Sequence, residues 1–227
     1  MTTRKFMEFL SAGRWFGGLC AEFREALSAA AVSRTLVPGE RLFSRGDAPS
    51  GIYAVVEGGV RITATAESGK ELLFAVVEPP MWFGEISVFD RKPRTHDAIA
   101  AEKTTLVHVS QEDLEAILAR TPTWWRELAT LATWKLRLTF LAVEDGALPL
   151  AERLARRLVL AAESYGEWKD RSNREVDLKQ EQLAAMTGTS RQTVNQALKE
   201  LESKGLVRLA YGKIAIVDLD GLRRLAS

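Results

Sequence analysis

The stretch from Leu183 to Leu201 constrains this chain more than any other. Leu183, Val194, Leu198 and Leu201 recur at helical spacing on either side of Gly188, which predicts two short helices joined by a tight turn. Ala184 stands where such helices cross closely and a small side chain is needed, and Gly188 can take the positive φ of the turn. Ser190, Arg191, Gln192, Thr193, Asn195 and Gln196 crowd the start of the second helix. All can hydrogen-bond base edges or phosphates, the arrangement that lays a second helix in the major groove of double-stranded DNA. The plain alternative is a helical hairpin whose polar residues merely face water. Downstream, Lys204–Leu209 and Lys213–Val217 are short β-prone runs around Tyr211-Gly212, a hairpin signal. Helix, turn, helix and hairpin together make a winged helix-turn-helix, with DNA as the expected partner.

At 227 residues the chain has room for two modest domains. Its 46% hydrophobic and 27% charged content is that of a soluble globular protein. No apolar run approaches the roughly 18 residues that span a bilayer. The N-terminus, with Arg4, Lys5 and Glu8 among Phe6 and Phe9, has no signal-peptide core, so a cytoplasmic protein without membrane contact is expected. Cys20 stands alone, which excludes a disulfide framework or a cysteine-based metal site within one chain. With only His96 and His108, no metal-ligating cluster and no nucleophile–base arrangement stand out, so neither a metal site nor an enzyme is expected. The net charge of +1 hides an asymmetry: residues 147–227 hold 14 basic and 11 acidic residues, the rest 17 and 19. The small basic excess therefore lies with the helix-turn-helix, as phosphate contact requires.

The front half has a different texture. From Thr35 to Val109 short β-prone runs are punctuated by glycines: Ile52–Val56, Val60–Ala64, Leu72–Val77 and Leu106–Val109, with turns at Glu57–Gly59 and Glu67–Lys70. Strands at this spacing argue for a small antiparallel barrel or roll. Beyond Pro122 one long helix can run from Thr123 to about Asp145. Leu128, Leu131, Leu138 and Ala142 form one stripe, interrupted by Lys135; Ala129, Ala132, Leu136, Thr139 and Val143 form a second. One face suits the roll. The other suits either a second copy of the helix, giving a homodimer, or burial within a monomer.

This order of parts resembles the cyclic-AMP receptor protein and fumarate–nitrate regulator (Crp/Fnr) family of bacterial transcription regulators, from about Phe16 to Val217. The resemblance implies an α+β architecture: a cyclic-nucleotide-binding-type β-roll over residues 1–117, a dimerisation helix over 118–146 and a winged helix-turn-helix domain over 147–227. It also implies RNA polymerase as a partner. Its most specific motif after the helix-turn-helix is Phe83-Gly84-Glu85-Ile86-Ser87-Val88-Phe89 followed by Pro93-Arg94-Thr95, which looks like the family's phosphate-binding cassette. Arg94 can meet a cyclic phosphate with a bidentate fork, and Thr95 can add a hydroxyl donor. A short helix opening at Gly84 can aim backbone N–H groups at the same anion. Glu85 can accept the free ribose 2′-hydroxyl, and Thr139 aligns with a hydroxyl residue that contacts the base. The effector-binding set is then Gly84, Glu85, Ile86, Arg94, Thr95 and Thr139, and cyclic AMP is the first effector to consider, ahead of cyclic GMP and cyclic di-GMP. The alternative for Glu85 and Arg94 is a plain ion pair bracing the roll, in a regulator that needs no effector.

Several positions depart from the family. Phe140 stands where a second serine contacts the base, and His96 and Asp97 are larger and more polar than the residues expected there. The oxygen-sensing branch needs several cysteines, and a haem sensor an axial ligand; His108, mid-strand, reads as a packed or surface residue. In the DNA-binding part, Arg191 matches the family arginine that reads guanine. Gln192 replaces a glutamate and can pair with adenine, or else cap the helix by bonding back to Thr189. Gln196 replaces an arginine. Lys179 stands where threonine often caps the first helix; a lysine cannot accept there, so phosphate contact is expected of it.

Overall fold

A computed structural model of the chain describes residues 3–67, 69, 71–163, 175–176, 178–210 and 213–226. Ser68 and Lys70 of one expected turn, and Tyr211-Gly212 of another, lie outside the described residues. The chain divides into two compact units, Met1–Leu136 and Arg137–Ser227. Among the described residues no helix is long and apolar enough to cross a membrane.

Among the described residues the first unit has eight strands: β1 (Val32–Leu36), β2 (Arg41–Phe43), β3 (Ile52–Glu57), β4 (Val60–Thr65), β5 (Glu71–Val77), β6 (Trp82–Phe83), β7 (Asp97–Ala100) and β8 (Thr104–Val109). They pair antiparallel in two sheets, ordered β1-β8-β3-β6 and β2-β7-β4-β5. The four strands anticipated from glycine spacing are present, and four shorter ones complete the sheets. Three helices precede the roll and were not anticipated: α1 (Thr3–Leu10), α2 (Arg14–Gly18) and α3 (Ala21–Ala30). Their Leu10, Phe16, Phe23 and Leu27 join Trp82 and Val107 of the sheet in one apolar core. The same core takes in Leu114 and Leu118 of α5 (Gln111–Arg120), and Leu128 and Leu131 of α6 (Trp124–Glu144). Ser110 caps α5 by accepting from the Asp113 N–H at 3.1 Å, and Pro122 separates α5 from α6. Trp124 stacks on Phe23 with centroids 4.9 Å apart, and Trp125 leans on Phe89 at 5.5 Å, so these tryptophans are packing residues.

On the long helix Leu128 and Leu131 of the first expected stripe are fully buried, while its Leu138 and Ala142 are half-buried. Leu136 (53%) and Val143 (70%) of the second stripe are exposed in the single chain, as is Phe140 (59%), which lies on neither.

The second unit opens with the last part of α6, from Arg137, passes a 3-10 turn at Asp145–Ala147 and continues through α7 (Leu150–Ala162) and β9 (Glu175–Val176) to α8 (Gln180–Thr187) and α9 (Arg191–Ser203). It closes with β10 (Val207–Ala210), β11 (Lys213–Ile216) and α10 (Leu219–Leu225). The hairpin pairs Val207 with Ile216, and β9 adds an unanticipated third strand to β11. Leu183, Val194, Leu198 and Leu201 are fully buried between the helices, as their spacing predicts. Gly188 ends α8 at φ 69°, in open space, so the turn needs its backbone freedom rather than its small size. The segment leading into α7 is fastened at Asp145. This buried carboxylate meets Arg156 at 3.0 Å and Arg157 at 3.5 Å, while Arg156 also donates twice to the Ala226 carbonyl.

Candidate functional site

The end of β6 turns into a short helix, α4 (Ile86–Asp90), two residues later than the expected start at Gly84. Gly84 has φ 96°, and a β-carbon there would lie 2.9 Å from the Gly51 carbonyl oxygen and 3.0 Å from Arg94 Nη1. Both the conformation and the crowding demand glycine. That close approach lets the chain wrap around the Arg94 side chain, which is 4% exposed. Its fork donates to the carbonyls of Gly84 and Gly51 and to Ser50 Oγ, each at 2.8 Å. The guanidinium carbon sits 4.4 Å from the centre of the Phe43 ring. Burial pushes the Arg94 pKa below its ordinary value, opposed by nearby Tyr53 and Glu85. Its Nε is buried without a hydrogen-bond partner.

Ser50 is itself held in place. Its hydroxyl lies 2.9 Å from the Tyr53 hydroxyl, and the Nε2 of His108 bonds the Ser50 carbonyl at 2.6 Å. The His108 ring stacks on Tyr53 at 4.4 Å, so of the two placements left open for this histidine, packed or surface, it takes the packed one.

Glu85 is 3% exposed and does not pair with Arg94, which corrects the ion-pair alternative. Its Oε2 accepts from Lys135 Nζ of α6 at 2.7 Å. The reason is geometric: three neutral oxygens already occupy the Arg94 fork, and the carboxylate turns toward the helix instead. Lys135 is the residue that sequence reasoning missed. Read as an interruption of an apolar stripe, it neutralises the buried acid. Its only visible signal was a cation at a position that spacing assigned to a buried face. Thr95 is exposed, with Oγ1 2.8 Å from His96 Nδ1, and Ile86 is exposed on α4. Gly84, Glu85, Ile86, Arg94 and Thr95 thus share one neighbourhood; Thr139 is exposed on the part of α6 that belongs to the second unit.

In the second unit the start of α9 is the focus. Ser190 is its N-cap: Oγ accepts from the Thr193 N–H at 3.1 Å and lies 2.7 Å from Thr193 Oγ1. The Thr189 N–H bonds the Ala184 carbonyl at 3.1 Å, so the proposed capping of Thr189 by Gln192 does not form. The cap falls one residue later, and Gln192 is exposed beside Arg191, Thr193 and Gln196; Asn195 is half-buried. Arg191 Nη1 lies 3.4 Å from Glu181 Oε1 of α8. Lys179 precedes α8, and its N–H donates to Gln182 Oε1 at 2.8 Å. The ammonium cannot accept in return, so only half of a capping box is made. Lys179, Glu181, Arg191, Asn195 and Lys213 line a cleft of about 490 Å³ floored by Leu178, Leu209 and Ile214.

Two family models match the chain: a cyclic nucleotide-binding domain over residues 33–121 and a Crp-like helix-turn-helix domain over residues 152–225. The chain is 30% identical to the CRP-like cAMP-activated global transcriptional regulator of Mycobacterium tuberculosis, covering 89% of this chain and 93% of that one. It is 32% identical to the Cyclic AMP receptor protein of Thermus thermophilus, over 93% and 95% of the two chains. The fold matches that of FixK2 from Bradyrhizobium japonicum with a TM-score of 0.75, over 87% of this chain and 98% of that one, at 19% identity.

The Glu85–Lys135 pair yields a stability prediction. Lys135→Met leaves a buried carboxylate without its cation and is expected to cost about 1–3 kcal/mol in chemical denaturation. In a double-mutant cycle with Glu85→Gln, the second substitution should cost less than it does alone. Strict additivity would mean that the pair contributes nothing.

Proposed function

The chain belongs to the Crp/Fnr family of transcription regulators, DNA-binding proteins rather than enzymes, and we propose that a cyclic nucleotide, cyclic AMP first, gates its DNA binding. The observation that carries this reading is the Arg94 guanidinium. Among the described residues it is buried with no carboxylate in ion-pair distance, and its Nε is unpaired. A buried charge without a counter-ion costs several kcal/mol, and a cyclic phosphate supplies one from solution. Gly84, Ile86 and Thr95 border the same anion. Glu85, shared with Lys135, takes the ribose 2′-hydroxyl, and Thr139 the base. The cyclic-AMP names of the two relatives put that nucleotide ahead of cyclic GMP and cyclic di-GMP.

In this reading the roll extends over residues 1–117, the dimerisation helix over 118–146 and the DNA-binding domain over 147–227. The exposed apolar face of α6, with Leu136, Phe140 and Val143, meets its copy in a homodimer. Two recognition helices then read paired half-sites of double-stranded DNA. Arg191 pairs with guanine and Gln192 with adenine, with Asn195 and Gln196 beside them, while Lys179, Ser190 and Thr193 hold phosphates. RNA polymerase is the expected protein partner. One observation favours a second reading, an effector-independent regulator whose roll is a scaffold: three neutral oxygens already hold the Arg94 fork.

Thermal-shift titrations with cyclic AMP, cyclic GMP and cyclic di-GMP separate the two readings. Cyclic AMP at about a hundred times its Kd should stabilise the protein by about 2.7 kcal/mol, and Arg94→Ala should fold but lose the response. If no nucleotide moves the melting temperature, the scaffold reading stands. The DNA contacts are tested with a randomised half-site library at two salt concentrations. Arg191→Ala should cost about 1–3 kcal/mol and relax preference at one position per half-site, while Lys179→Ala should weaken all sequences alike and flatten the salt dependence. An unchanged base preference in Arg191→Ala would contradict this placement of the recognition helix.

A further inference from the structure

The residue after Thr95 is tied to it in a way that bears on what the site can bind. His96 Nδ1 lies 2.8 Å from Thr95 Oγ1, and the His96 ring meets Phe74 of β5 edge-on, with centroids 4.5 Å apart. A hydroxyl has one hydrogen. A neutral imidazole with its lone pair on Nδ1 takes that hydrogen, and the Thr95 oxygen then faces an incoming anion with lone pairs alone. The imidazolium reverses the bond: Nδ1–H donates to Oγ1, and the Thr95 hydrogen is released toward the anion. The neutral ring can reach the same arrangement only by moving its hydrogen from Nε2 to Nδ1. The protonated ring already has it and adds a positive charge.

We propose that His96 is a positioning residue of the effector site, acting through Thr95, and that an anion bound beside Arg94 and Thr95 is taken up together with a proton on His96. The inference rests on the effector reading above and adds to it a coupling to pH.

The surroundings set the direction. Burial, then the charge of Arg45 in the loop after β2, hold the His96 pKa below its ordinary value. Asp97, the next residue and the first of β7, opposes them, but it is itself paired with Arg41 of β2 at 2.8 Å. From β5 the neighbour is the uncharged Phe74. Without ligand the ring is therefore neutral near pH 7. A bound anion favours the imidazolium, so the folded protein's His96 pKa is higher with ligand than without. Affinity then rises as pH falls through the ligand-bound pKa and levels off below the ligand-free one.

Calorimetric titration of the full chain tests this with cyclic AMP, cyclic GMP and cyclic di-GMP in turn, in two buffers of different ionisation heat. For a nucleotide that binds, the wild type should take up a proton and bind up to about tenfold more tightly at about pH 6 than at about pH 8. His96→Asn retains a hydrogen-bonding partner for Thr95 but cannot titrate, and should bind with no proton uptake and a flat profile. The chain has only two histidines, so equal uptake in wild type and His96→Asn places the proton elsewhere and overturns the proposal. Binding without uptake in the wild type overturns it while leaving the effector reading intact. Absence of binding by all three nucleotides overturns both.

Discussion

A guanidinium taken out of water is costly unless its donors find oxygen, and the front of this molecule is shaped by that requirement at Arg94. Two of its partners are backbone carbonyls, of Gly51 and Gly84, and the chain comes close enough at Gly84 only because no β-carbon intervenes. The third is Ser50, fixed by Tyr53 and His108. Phe43 covers the planar face. The loop after β2, the start of β3 and the end of β6 are thus gathered around one cation. Among the described residues its buried Nε is the nitrogen left without any hydrogen-bond partner.

Beside it, Glu85 carries the opposite charge and is met by α6 through Lys135. The two charges of the site are therefore answered from different places, Arg94 by the roll and Glu85 by the helix. In the proposed function a nucleotide's ribose competes with Lys135 for the carboxylate, so ligand binding bears directly on the helix that packs Leu128 and Leu131 into the core. The same helix runs on to Glu144, where the buried Asp145 ties the next turn to Arg156 and Arg157. In the proposed function an effector acts by biasing one arrangement of these charged contacts over another.

How much of this was legible in the sequence follows from the range of each interaction. The helix-turn-helix was readable because its determinants, Leu183 to Leu201, lie within a few turns of one another. So were the longer strands, marked by glycines at their turns, and the long helix, bounded by Pro122. The three N-terminal helices went unread: they are short, and their apolar residues find partners only when the sheet and α5 are in place. The alternative that Gln192 caps the helix at Thr189 could not be decided locally, because Thr189 and Ser190 are both good caps and only the Thr189 N–H bond to Ala184 separates them. The pairing of Glu85 with Lys135 spans 50 positions, and no local pattern reports it. Residue types marked out a cation and an acid, Arg94 and Glu85, but the partners of each are a property of the fold.

The central claim is that nucleotide binding and DNA binding are linked. It is tested most directly by measuring the affinity of the protein for a half-site pair selected from a random library, with and without saturating cyclic AMP. The account predicts tighter DNA binding with the nucleotide, by a factor of about 5–150, and by linkage the same factor in cyclic-AMP affinity when DNA is present. Equal DNA affinity in the presence and absence of bound nucleotide would contradict it.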